Sequence, residues 1–135
     1  MMNELQEGSD IIFFGTQSNV IHMSFCGLPL IPAYTNEMLL GCEPQASILC
    51  INEWDDIGYI RRCINYLESF NENKVIALAY YKKKLYELWD RNNMSICENT
   101  HNNITAIENE VGIHIYDMDK MDDIEKLCDE IIAYF

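Results

Sequence analysis

Apolar and polar residues fall along this chain in blocks, and the period of the blocks changes. "ASILCIN" (Ala46–Asn52) and "KVIALAYY" (Lys74–Tyr81) are nearly unbroken apolar runs. Runs of that length suit strands covered on both faces, as in a parallel sheet. The shorter run Ile11–Gly15 predicts a first strand ending in a small polar turn, and "IHIYDM" predicts a short fourth one. Between these the period becomes helical. Ile57, Ile60, Ile64 and Leu67 share one face behind Asp55 or Asp56 as N-cap. Ile104, Ile107 and Val111 share another, with Gly112 placed as the C′ terminator. The final segment predicts an amphipathic helix with Ile124, Leu127, Cys128 and Ile131 facing inward, and Asp122 and Asp123 in its first turn suit the helix dipole.

Strands separated by helices imply a mainly parallel sheet with helices on both faces. The expected architecture is a single α/β domain over residues 1–135, a three-layer sandwich of the P-loop-like or Rossmann-like half type. Two stretches are less regular. Residues 15–45, with Gly27, Pro29, Pro32 and Gly41, read as a shaped connection. Residues 82–103 read as a helix through Leu85, Leu88 and Trp89 followed by a polar loop, with a hairpin turning at Asn92-Asn93 as the alternative.

Composition narrows the partners more than the fold. At 135 residues a chain buries roughly 68% of its extended surface, enough for a core without staples. The six cysteines form no CxxC pair, and most sit inside apolar patterns, as small reduced core residues of a cytoplasmic protein do. "MMNELQEGSD" lacks the basic and apolar regions of a signal peptide, and no apolar stretch approaches a membrane span. A net charge of −13 disfavours nucleic acid and anionic membrane, which both require neutralisation by Lys and Arg. It keeps a domain soluble and can steer a basic peptide. Homo-oligomer formation is compatible with all of this.

Ligands of open parallel sheets sit beyond the carboxyl ends of the strands. That points to Gly15, Thr16, Gln17 and Ser18, where backbone N–H, hydroxyl and amide groups suit anion or amide recognition. It also points to Asn52, followed by Glu53, Trp54, Asp55 and Asp56, although helix capping is the simpler role for the acids. No GxxxxGK followed by Ser or Thr occurs, nor GxGxxG, so the chain carries no phosphate-cradling loop of those kinds. His22, His101 and His114 are scattered. A nucleophilic Cys26 or Cys42 activated by His22 is the one cysteine-based alternative. Nothing suggests a catalytic set, a metal site or a cofactor in this chain. Lys82, Lys83 and Lys84 read as a solvated loop, and Trp54, Trp89, Tyr80 and Tyr81 as either core or interaction surface.

"LIPAYTNEMLLGCEPQASILCIN" carries a resemblance. Pro32-Ala33-Tyr34-Thr35 is similar to a His-Pro-Ala-Tyr-Ser segment, Leu40-Gly41 to a helix end, and Pro44 to Cys50 to a strand of the type Pro-Asp-Ala-Leu-Val-Leu-Cys-His. Gly15-Thr16-Gln17-Ser18 looks like a Gly-Gln-Thr-Gly turn, while "KVIALAYY" and "IENEVGIHIYD" match further segments in colinear order. Together they resemble the C-terminal, P-loop-like part of a family of unknown-function proteins described variously as NAD-dependent epimerase-like and as D-glutamate N-acetyltransferase. The acidic balance and shortened loop are also similar to a divergent branch found in peptide maturation systems, which handle modified ribosomal peptides. Ile31 departs from the family's histidine, Tyr80 lies near where its strand ends in asparagine, and its acidic strand-end stretch has no room between Gly15 and Pro32.

The resemblance implies the C-terminal domain of a longer protein whose phosphate-binding half lies upstream. It further implies a catalytically incomplete binding domain of a peptide maturation or small-molecule tailoring protein, its partner a peptide or protein of the same biosynthetic system. The expected ligand rim joins Gly15, Thr16, Gln17 and Ser18 to Pro32, Tyr34 and Asn52. The alternative is an ATP-dependent or acyl-transfer enzyme completed by the missing half, with Thr16, Gln17 and Tyr34 on the substrate.

Overall fold

The computed structural model describes residues 10–21, 23–25, 28–30, 32–52, 55–70, 72–82 and 104–135, with only the backbone described at 23–25 and 28–30. In chain order the elements are β1 (Met23–Phe25), β2 (Leu28–Leu30), α1 (Ala33–Cys42), β3 (Ala46–Asn52), α2 (Ile57–Glu68), β4 (Lys74–Tyr81), α3 (Ile104–Val111), β5 (Ile115–Asp117) and α4 (Met121–Tyr134). The main sheet has the order β3-β4-β5 and is parallel throughout, Leu49 pairing with Leu78 and Leu78 with Ile115. This is a small α/β fold.

Alternation along the strands divides the side chains between two cores. Leu49, Ile51, Leu78, Tyr80 and Ile115 pack with Leu39 of α1, with Ile60, Cys63, Ile64 and Leu67 of α2, and with Ile107 of α3. Their neighbours Ala77 and Tyr116 turn the other way and pack with Leu127 and Ile131 of α4. Helices therefore cover both faces. The connections β3–α2–β4 and β4–α3–β5 advance across the sheet in one direction, so right-handed crossovers put α2 and α3 on the same face. Among the described residues, only α4, after the last strand, reaches the opposite one.

Local chemistry fixes the element ends. Asp56 caps α2, its Oδ1 accepting from the Tyr59 N–H at 2.9 Å. Gly112 closes α3 with φ of 71° and an N–H donated to the Glu108 carbonyl at 2.8 Å, a geometry that penalises a side chain. Buried Asn73 joins α2 to the sheet: its Nδ2 donates to the Leu67 carbonyl and its Oδ1 accepts from the Ser47 hydroxyl, both at 2.9 Å. It serves a helix-end carbonyl beside a register shift at Ser47/Ile48 that would otherwise strand polar atoms.

Three expectations need correction. Residues 11–15 form no strand: Ile11 reaches the α4 core, but Phe13 is 70% exposed and Phe14 44%, so the run borders the sheet without joining it. The connection between this run and α1 contains an antiparallel pair, β1 with β2, in which Ser24 sits opposite Pro29. Proline is tolerated there because a two-stranded ribbon consists of edges. Of the cysteines, only Cys63 is buried among the described residues; Cys50 and Cys128 are exposed and Cys42 is intermediate. Cys128 thus lies on the outer side of α4. The choice between helix and hairpin for residues 82–103 lies outside the described residues. Among those described, no helix is long and apolar enough to cross a membrane.

Candidate functional site

The turn after residue 14 and the start of α1 meet. Gly15, Thr16, Gln17, Ser18, Asn19, Tyr34 and Met38 line an open groove of about 540 Å³. One wall is the turn itself. The Ser18 N–H donates to Thr16 Oγ1 at 3.1 Å, which folds the backbone on itself. The Ser18 carbonyl accepts from the Thr35 hydroxyl at 3.1 Å, which docks the turn onto α1. Val20 and Ile21 then pack against the α2–α3 core. The segment 11–21 is therefore anchored on the α4 core at Ile11 and on the opposite core at Val20 and Ile21, with the groove wall between.

The second wall is α1. Thr35 and Leu39, four residues apart, are buried and hold the helix to the body. Asn36 Oδ1 accepts from the Tyr66 hydroxyl at 2.6 Å and ties α1 to α2. With those positions facing inward, Tyr34 and Met38 face out, 70% and 41% exposed. Tyr34 and Met38 are also four residues apart, so ring and thioether lie along one outer ridge. An exposed tyrosine beside a methionine forms an adaptable apolar surface with a polar tip.

Five of the expected site residues are brought together: Gly15, Thr16, Gln17, Ser18 and Tyr34. Pro32 and Asn52 do not line the groove. Pro32 is the N-cap residue of α1, its carbonyl accepting from the Asn36 N–H at 3.0 Å. Asn52 belongs to a separate turn, its N–H donating to Asp55 Oδ2 at 2.9 Å. Burial pushes the Asp55 carboxyl above its usual range, outweighing the Asn52 N–H bond that pulls it down. Sequence reasoning missed Met38. The available signal was its spacing of four from Tyr34, ahead of the helix end that the resemblance places at Leu40-Gly41.

Of the anion and amide recognition expected of the turn, the groove's chemistry favours the amide. The Ser18 N–H is used within the turn. The lining residues carry hydroxyl, primary amide, phenol and thioether groups, a set that bonds amides and covers apolar groups, with Thr16 Oγ1 already accepting from the Ser18 N–H. At Gly15 an added Cβ would meet nothing within 4 Å, so this glycine does not mark a close backbone approach.

Elsewhere, titratable groups serve packing. Cys63 is fully buried, and burial pushes its thiol up to about 11, which leaves it protonated and unreactive at neutral pH. Burial likewise raises the Tyr116 phenol, whose hydroxyl donates to Glu130 and so joins β5 to α4. His114 pairs with Glu108, whose carboxylate also accepts from the Ile115 N–H at 3.3 Å. Among the described residues, no three His, Cys, Asp or Glu side chains gather as metal ligands would. Cys26 and His22 of the cysteine-based alternative lie outside the described residues; Cys42 makes a thiol contact with Met38 Sδ at 3.9 Å. Comparison with protein-family models, curated proteins and solved structures finds no match to this chain.

Proposed function

We propose that this chain acts by binding, and that the groove between the 15–19 turn and α1 receives an extended peptide segment. The system it would serve is the maturation of a modified peptide or the tailoring of a small molecule. The observation that carries this reading is the groove's composition: Thr16, Gln17, Ser18 and Asn19 opposite Tyr34 and Met38. Side-chain amides and hydroxyls bond peptide groups in either direction, and the Tyr34–Met38 ridge covers side chains without demanding one shape.

The test is a titration of the isotopically labelled chain with blocked, neutral decapeptides of mixed Ser and Leu, followed through backbone amide shifts. Shifts are expected at residues 15–19 and on α1. Tyr34→Ala is expected to weaken the interaction about tenfold, as loss of an aromatic anchor does. Magnesium-ATP is the contrasting probe. If it binds in the low micromolar range with shifts at Thr16, Gln17 and Ser18, the chain is instead part of an ATP-using enzyme, and the binding-only reading fails.

A further inference from the structure

We infer that the peptide segment which fits this groove is a cationic one, rich in Lys or Arg; this rests on the binding reading above and specifies its partner. The charge map around the groove supports it. None of the nine Lys and Arg residues precedes Arg61, so the turn, α1 and β3 contain no cationic Lys or Arg side chain. Charges on the described part of that stretch are negative: Asp10 ahead of the turn, Glu37 on α1, and Glu43 just past its end. Glu37 is exposed and lies three residues after Tyr34 and one before Met38, so it flanks the ridge. The lining residues themselves are uncharged.

A neutral lining on segments whose own described charges are all acidic sorts ligands by charge. A net charge of −13 draws cations toward the surface before contact. The groove then offers such a ligand no charge that must be desolvated. Tyr34 adds a ring face for an ammonium or guanidinium group. A phosphate-bearing ligand meets the reverse: the turn and α1 supply no Lys or Arg to neutralise it, and the turn's Ser18 N–H is already spent on Thr16. The same chemistry that admits a basic peptide therefore turns nucleotides away.

Three blocked decapeptides of Ser and Leu, differing only in Lys, Gln or Glu at alternate positions, test this on the full chain. The Lys peptide is expected to bind at least about tenfold tighter than the Gln peptide, with amide shifts at residues 15–19 and an affinity that falls as salt is raised. Glu37→Gln should weaken the Lys peptide about threefold and leave the Gln peptide unchanged. Gly15→Lys, placed where a side chain has open space, should weaken the Lys peptide about tenfold without altering the thermal midpoint. Equal affinity for Lys and Gln peptides in the groove overturns the cationic preference and leaves peptide binding standing. Shifts from the Lys peptide confined to the acidic α4 surface overturn it too. If no peptide perturbs residues 15–19, the binding reading itself fails.

Discussion

The two faces of the β3-β4-β5 sheet are covered by helices of similar amphipathic pattern, yet they build cores of different quality. Under α2 and α3 the contacts are closed: Ile60, Cys63 and Leu78 have no exposed surface, and Val75 has almost none. Under α4 the buried set is short, Ala77 and Tyr116 from the sheet with Leu127 and Ile131 from the helix. Cys50 of β3 remains exposed on this side, and Ile132, Tyr134 and Phe135 leave large apolar surfaces in solvent at the end of α4. Among the described residues, one face has three helices contributing to it and the other has one. Two residues of similar hydrophobicity thus have very different weight according to the face they meet.

Thiol labelling of the native protein gives the widest separation. Cys63, on the closed face and with its thiol raised by burial, should react only when the whole domain opens. It is expected to label at least about a thousandfold more slowly than exposed Cys128, since global opening costs about 5 kcal/mol or more. Peptide mapping after a timed alkylation reads this directly, and comparable rates would show that the closed face breathes.

Core truncation comes next. Leu78→Ala, at a site with no exposure, should cost about 4 kcal/mol, against about 2 kcal/mol for Leu127→Ala beneath α4, the two ends of the usual range for such truncations. Urea midpoints of both variants measure the gap, and equal losses would erase the distinction between faces. Smaller again is the cap. Asp56→Ala removes the acceptor for the Tyr59 N–H and should cost about 1 kcal/mol, whereas α4 starts at Lys120 without a side-chain cap to lose.

The smallest effect concerns pH. Burial between β3 and α2 holds the Asp55 carboxyl above its ordinary value, so the folded chain keeps a proton that the unfolded chain releases. Its contribution is fully present below the ordinary carboxylate pKa of about 3.9 and is lost as pH rises through the raised value. Asp55→Asn, which keeps an oxygen to accept from Asn52, should therefore gain in relative stability as pH rises through that window. Denaturation curves at acid and neutral pH compare the two proteins, and a parallel pH dependence would contradict the assignment.

The elements legible in the sequence are those whose period is long enough to be unambiguous. β3, β4, α2 with its aspartate cap, α3 with Gly112, and α4 all follow from apolar spacing. The failures share a cause. Residues 11–15 have the composition of a strand but too few positions to separate a strand from an extended strap. Strands of three residues such as β1 and β2 carry no readable period, and Pro29 argues against one. Cys128 follows the apolar spacing of α4 yet falls on its outer side, and for Cys50 the pattern states only which side of the sheet it faces. Whether anything covers that side depends on helix count. At the groove, Gly15, Thr16, Gln17 and Ser18 do meet Tyr34, but not for the expected reason, because the first strand whose end was to place them does not form. Pro32 and Asn52 were misplaced because a residue near a strand end or helix start can be consumed by the element it terminates. The family resemblance gains no support from any match, so the groove rests on its own chemistry.

The 11–21 strap is moored at Ile11 under α4 and at Val20 and Ile21 under α2 and α3. A tether with unequal moorings gives way at the weaker one. Loosening of the C-terminal helix would slacken the 15–19 wall from behind while the rest of the sheet stayed intact, making α4 a remote control on the width of the groove.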